Sequence, residues 1–240
     1  MTAGTAPQSP THAPTQPRRR RRWLRWTIIG VAGFAVLVVA LVATAIKLQP
    51  TPAPLTLPAT VATPIGPPDG TYRAVTGSIA GFRIQQSVMG LTSDVVGRTD
   101  DVTGTVTIAD GQATIARLRV GLLALTSGGA KPAPQFGISL ETQRYPDAAI
   151  SLTQPVTLGS AFSSGTTVSA NASGMLALHG VAQPVTVTVS LRRDGPNIDV
   201  AGSFQVAFTE YSIARPKGYG GLGSLSDSGV AEFLLILRRP

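Results

Sequence analysis

The chain has 240 residues, no cysteine and a formal net charge of +8 at pH 7. Without thiols it has no disulfides, no cysteine nucleophile and no Cys-based zinc site. The charge does not point to nucleic acid: seven of the 20 basic residues (Arg18 to Arg22, Arg25 and Lys47) flank one apolar run, and from Gly70 onward 13 basic residues stand against 11 acidic ones, with no basic stripe interleaved with aromatics.

Residues 1 to 17 are dominated by Pro, Thr, Ala, Gln and Ser. Such a segment buries too little apolar surface to offset the entropy of ordering, so residues 1–25, which end in an Arg-rich stretch, are expected to be a disordered cytoplasmic tail. Trp26 to Ile46 then runs for 21 residues without a charge. As a helix it spans roughly 30 Å, the thickness of the bilayer's hydrocarbon core, and Trp23 and Trp26 stand where an interfacial aromatic belt belongs. Six Arg precede the run and one Lys follows it. The positive-inside rule therefore predicts a single-pass protein of the cell (cytoplasmic) membrane, N-terminus in the cytoplasm and C-terminal domain outside. The rival reading is a cleavable export signal. Ala43-Thr44-Ala45 fits a small-residue cleavage site, and Arg20 to Arg25 loosely fits a twin-Arg signal. The apolar run exceeds the usual length of a signal core, which favours the anchor, and both readings export the rest of the chain.

Residues 47–68 hold seven prolines (Pro50, Pro52, Pro54, Pro58, Pro64, Pro67 and Pro68). They predict a semi-rigid linker that lifts the next domain off the membrane by up to roughly 70 Å in polyproline II conformation.

From 69 to 240 the texture is β. Val102, Gly104, Val106 and Ile108 alternate with Thr103, Thr105 and Thr107, and the Asp110-Gly111 turn signal follows. Strands are expected near Thr71 to Val75, Ser78 to Gln85, Val102 to Ile108, Gln112 to Leu125, Ala149 to Leu158, Thr166 to Leu178, Val185 to Arg193, Asn197 to Phe208 and Gly229 to Arg238. Consecutive strands without βαβ alternation predict an antiparallel barrel or sandwich of about eight strands. Pro132 to Tyr145 breaks the pattern and predicts one short helix, with Phe136 and Leu140 at i, i+4 spacing. The last strand is apolar on both faces apart from Glu232, so its outer face must be covered by that helix or left as an edge.

Two stretches carry a family resemblance. One is Arg144-Tyr145-Pro146-Asp147-Ala148-Ala149-Ile150-Ser151-Leu152. The other is Gly174-Met175-Leu176-Ala177-Leu178-His179-Gly180-Val181-Ala182-Gln183-Pro184-Val185. Together with Asp69-Gly70-Thr71-Tyr72, Val102 to Val106 and Val230-Ala231-Glu232-Phe233, they resemble the YceI-like family over about residues 69 to 240. The resemblance implies an all-β fold, an eight-stranded antiparallel lipocalin-like barrel with a short helix, here preceded by one transmembrane helix. It also implies a ligand class, since some relatives hold polyisoprenoid or other long apolar chains in an internal pocket. The chain departs from the family pattern at Phe82 to Gln86, where a His is frequent, and at Lys131 to Phe136, where an acidic segment is frequent.

An eight-stranded barrel either fills with side chains or holds one ligand. The face Val168, Ala170, Ala172, Gly174, Leu176 and Leu178, and the face Ile198, Val200, Gly202, Phe204, Val206 and Phe208, mix large and small residues, which suits either outcome. The candidate apolar lining is Phe82, Ile84, Leu118, Val120, Phe136, Leu140, Ile150, Leu152, Val168, Leu176, Val187, Phe204, Val206, Phe233 and Leu235. Arg117 and Arg119 share one strand face and offer a phosphate head-group clamp at the barrel mouth. The ordinary reading of the pair, which the sequence favours, is a solvated outer face. No catalytic residue, metal site or cofactor is expected. His179 is the one histidine outside the tail and suits a structural turn, no G-x-S-x-G elbow is present, and Gly218 to Gly223 matches G-x-G-x-x-G without a following helix. The expected function is a membrane-tethered, non-enzymatic binding protein for a polyisoprenoid or acyl lipid, with the membrane and that lipid as partners. The alternative is a filled barrel that docks an envelope protein or forms a homodimer.

Overall fold

The computed structural model describes residues 37, 44, 52–59, 61–88, 90–127, 134–214 and 223–240. The tail and the expected membrane span lie outside the described residues, except for Leu37 and Thr44, which are helical. Among the described residues no helix is long and apolar enough to cross a membrane. The second of two compact units, Pro50–Pro240, holds the sheet.

Twelve strands form one antiparallel sheet: β1 (Gly70–Ala74), β2 (Ile79–Val88), β3 (Leu91–Thr99), β4 (Val102–Ala109), β5 (Gln112–Gly121), β6 (Asp147–Leu152), β7 (Val156–Thr157), β8 (Val168–Leu178), β9 (Val181–Asp194), β10 (Asn197–Ala207), β11 (Gly223–Leu225) and β12 (Ser228–Arg238). Eight of them, in the order β1-β4-β5-β6-β8-β9-β10-β12, make a ring that closes when β12 pairs with β1 at Leu237–Ala74 and Arg238–Arg73. This is the eight-stranded barrel that the family resemblance implies. Towards its N-terminal end β12 leaves β1 and pairs instead with β2 over Val230–Leu234. The β2–β3 hairpin thus completes the wall at that end, and β3 reaches the far side where Arg98 and Thr126 exchange backbone hydrogen bonds of 2.8 Å.

Short-range chemistry sets the hairpins. Asp110 and Gly111 both take positive φ (52° and 69°), as do His179 and Gly180 (53° and 76°). Two central residues of that hand form the tight turn whose twist matches the flanking strands, and glycine adopts it without a Cβ penalty.

The structure departs from the expected elements in four places. β3 had no counterpart among the expected strands, because Asp94, the adjacent Val95 and Val96, and Gly97 spoil a period-2 reading. The strand expected to run to Leu125 ends at Gly121. The strand expected over Ala149 to Leu158 is two short strands followed by an unforeseen helix, Gly159–Ser163. The helix expected over Pro132 to Tyr145 is confined to Pro134–Ser139.

The largest correction concerns the linker. Residues 52–59 and 61–68, expected to stand off as a spacer, lie along the barrel wall as a strap. Its carbonyls accept from arginines: Pro52 from Arg83 (2.7 Å), Ala53 from Arg98, Pro58 from Arg192, and Ile65 (3.0 Å) and Gly66 from Arg193. Its amides donate to Glu232 from Leu55, to Asp194 from Ala62 and to the Gly195 carbonyl from Ile65. An extended proline-rich segment has no internal backbone bonds, so its carbonyls are free to accept from the wall. The strap, and not the short helix, covers the outer face of β12 at Glu232.

Side chains that alternate inward fill one end of the barrel. Phe162 from the unforeseen helix is 1% exposed, and Tyr72, Ile108, Leu158, Ile198 and Leu237 pack around it. Arg193 closes this end over the helix by donating to the Ser163 carbonyl at 2.9 Å.

Candidate functional site

Above the Phe162 plug the barrel is hollow. A cavity of about 280 Å³ extends from Ile108, Ile198 and Leu237 at the closed end to Leu122, Leu140, Leu178 and Ile213 at the other. Ile108, Ile198 and Leu237 are at most 3% exposed. Leu122, Leu140 and Leu178 are only half-buried, so the cavity opens at their end, beneath the β5–β6 connection. Small residues make the space. Ala113 and Ala116 on β5, Ala148 and Ala149 on β6, and Ala172 and Gly174 on β8 line it where larger side chains would meet across the barrel.

The candidate lining residues converge here. Phe82, Ile84, Leu118, Val120, Leu140, Ile150, Leu152, Leu176, Val187, Phe204, Val206, Phe233 and Leu235 all border the cavity. Val168 does not. It pairs with Leu191 and packs against the core cluster that includes Phe162 without bordering the cavity. The Phe136 side chain lies outside the described residues. Leu122, Leu125 and Ser139 also line the cavity and are not among the candidates: the strand expected over Leu122 and Leu125 ends at Gly121, and Ser139 is a polar residue within the expected helix.

Arg117 and Arg119 do not form a head-group clamp. On β5 Ala116, Leu118 and Val120 face the cavity, so the residues between them point outward, and both arginines are exposed. Arg119 is held by two carboxylates, Asp147 at 2.6 Å and Asp101 at 3.5 Å. Asp147 hydrogen bonding raises its already high pKa further, against a smaller opposing effect of burial. Arg83 and Arg98 are likewise turned outward, into Glu232 beneath the strap.

Glu232 is the one ionisable residue among the described lining residues, and its carboxylate points to Arg98, Arg83 and the strap. His179 sits at the open end as the structural turn residue expected. Its Nδ1 donates to the Tyr211 carbonyl (3.0 Å), its ring lies 4.8 Å from that of Tyr145, and Nε2 stands 3.6 Å from Glu141. Tyr211 is 1% exposed, and burial, with Glu210 adding to it, pushes its phenol pKa up. Most of Gly218 to Gly223 lies outside the described residues, and among them no cluster of His, Asp or Glu could hold a metal ion. Chemically the described site is a hydrocarbon-lined tube, closed at one end and able to desolvate an apolar chain.

The YceI-like domain profile matches residues 72–232. Among solved structures, the chain is similar to a polyisoprenoid-binding domain from Saccharophagus degradans implicated in plant cell wall breakdown. The identity is 20%, with 72% of this chain and 99% of that one covered at a TM-score of 0.54. It is also similar to BcnA of Burkholderia cenocepacia (14% identity, 65% and 95% covered, TM-score 0.47) and to the Campylobacter jejuni YCEI protein (10% identity, 62% and 87% covered, TM-score 0.49). At 20% identity the likeness to the S. degradans domain speaks for the fold alone. A search of curated proteins finds no match to the chain. The ring of eight strands, the motifs around Tyr145 and His179 and the profile match over most of the chain agree: the chain belongs to the YceI-like domain family.

Proposed function

We propose that this protein is a membrane-tethered carrier or sensor that holds one long apolar chain, an isoprenoid or fatty-acyl lipid, inside its barrel without altering it. The observation that carries the reading is the cavity: an apolar tube of about 280 Å³ in a domain whose interior would otherwise pack solid. A dry cavity of this kind favours hydrocarbon over water, because water there finds too few polar partners. If each methylene-sized group needs about 30 Å³, the volume share of a water molecule in the liquid, the tube holds on the order of ten of them. At about 0.8 kcal/mol each they contribute roughly 8 kcal/mol. Association costs of about 4 kcal/mol or more are set against that, so a longer chain must continue out through the open end.

The binding reading also draws support from the S. degradans domain of the same fold, which binds polyisoprenoid. The non-enzymatic reading is supported by the described lining, whose one ionisable residue, Glu232, is turned outward to Arg98 and Arg83. Tethering to the cytoplasmic membrane, with the barrel outside, rests on the charge-free run Trp26 to Ile46 and the six arginines before it. Native mass spectrometry of the full chain, purified in mild detergent and equilibrated with isoprenoid and acyl lipids, tests the reading. The expected result is one apolar molecule per chain, recovered unmodified. Failure to retain any apolar molecule would overturn it.

A further inference from the structure

Among its described residues, the connection from β5 to β6 carries two large apolar side chains turned to solvent at the open end: Ile138, 75% exposed, and Leu123, 56% exposed. Both border the opening. Leu122 and Leu125, on either side of Leu123, line the cavity, as do Ser139 and Leu140 beyond Ile138. Bonds from Leu122 N to Pro146 O (2.7 Å) and from Thr142 N to Gly137 O (3.1 Å) fold the connection onto itself.

The strap arrives at the same wall. Arg98 holds the Ala53 carbonyl with its side chain while its backbone pairs with Thr126, the residue after Leu125. From Pro52 only five residues, 47–51, lead back to the apolar run that ends at Ile46. Fully extended, that stretch reaches roughly 20 Å. An undocked linker would let the barrel sit anywhere within roughly 70 Å. Single exposed apolar residues are ordinary on a protein surface, but these two flank the opening on the wall where the tether arrives.

We propose that the rim bearing Leu123 and Ile138 docks on the surface of a lipid bilayer, so that the barrel opens towards the acyl chains from which it takes its ligand. The proposal rests on the reading of the chain as a membrane-tethered lipid binder. Large apolar side chains at a water–lipid boundary bury in the head-group and acyl region, and the strap limits how far the barrel can stray from it.

The cysteine-free chain makes the test direct. Full-length L123C, I138C and, as a control on β5 towards the closed end, I115C are spin-labelled and placed in nanodiscs of phosphatidylcholine and phosphatidylglycerol. At positions 123 and 138, collision with oxygen is expected to exceed collision with a water-soluble nickel chelate several-fold, and at 115 the reverse. Labels at 123 and 138 that behave like the label at 115 overturn the docking, whether or not the chain inserts. Native mass spectrometry on the same samples separates the two readings. Lipid-exposed labels without a retained ligand support the docking and sink the binding function, whereas a retained ligand with water-exposed labels sinks the docking alone.

Discussion

Arg98 grips one oxygen of Glu232 twice, with Nε and Nη2 lying 3.1 and 2.8 Å from Oε1. The other oxygen accepts the Leu55 amide at 3.3 Å and stands 3.8 Å from Arg83 Nη2. One carboxylate, with its side chain 2% exposed, therefore joins β12, β3, β2 and the strap.

Removing that carboxylate leaves two guanidinium groups beneath the strap without their counter-charge, although Arg83 keeps Asp94 at 3.1 Å. Breaking a buried pair from one side costs about 3–5 kcal/mol, and the partial exposure of Arg98 reduces this, so Glu232→Ala is expected to lose about 2–3 kcal/mol in urea denaturation. Hydrogen exchange at the Leu55 amide should quicken at the same time. Unchanged exchange with a loss below about 0.5 kcal/mol would show that the outer cluster is solvated and the strap held by other contacts.

Filling the tube separates binding from folding. Ala116 and Ala172 line the cavity from two different strands. In a solid core, added methylenes strain their neighbours by about 1–3 kcal/mol. Here they enter empty space, so Ala116→Leu with Ala172→Leu should leave stability within about 1 kcal/mol of the parent. Retention of an apolar ligand should fall at least about tenfold, since several methylene contacts of about 0.8 kcal/mol each are displaced. Native mass spectrometry and a thermal melt on the same sample check both halves. Undiminished retention would place the ligand elsewhere.

The barrel ring was legible because each of its strands buries one face, and parity alone marks that face, as in Val102, Val106 and Ile108. Parity marks the inward face but not which inward residues border the empty space, so Val168 looked like lining while it packs against its neighbours without reaching the cavity. The outward position of Arg117 and Arg119 was legible as their ordinary reading, a solvated outer face. With Leu118 and Val120 assigned inward, the residues between them had to point out. The strap was not legible. Its prolines announce an extended chain, but the groove that receives it is built from Arg83, Arg98, Arg192 and Glu232, brought together only by pairings across β2, β3, β9, β10 and β12.

Gly104 has φ of +142°, and a Cβ there would collide with the Arg117 carbonyl and come within 2.7 Å of Leu118 Cα. Both obstacles are backbone of β5, which cannot swing aside as a flexible side chain would. Gly104→Ala is therefore expected to cost about 2–4 kcal/mol, from backbone strain plus displacement of β5 against β4. A denaturant midpoint within error of the parent would show that this pair of strands yields.

Asp199 is 1% exposed, with Arg192 Nη2 3.7 Å away. Burial raises its pKa, Asp194 adds to the effect, and Arg192 opposes both with a smaller pull. At a pH below the ordinary carboxylate range the group is protonated in both the folded and the unfolded chain and costs nothing. As pH rises through the ordinary value the unfolded chain ionises while the buried group holds its proton. The fold therefore loses stability as pH rises until it passes the raised value. Asp199→Asn removes this titration and keeps the shape, while the other carboxylates titrate alike in both proteins. Thermal melts of parent and variant at about pH 3 and about pH 7 should show the gap in Tm moving in the variant's favour as pH rises. Movement in the parent's favour would mean that attraction to Arg192 outweighs burial, and that the pair fastens the strap at Pro58 instead of weakening the wall beneath it.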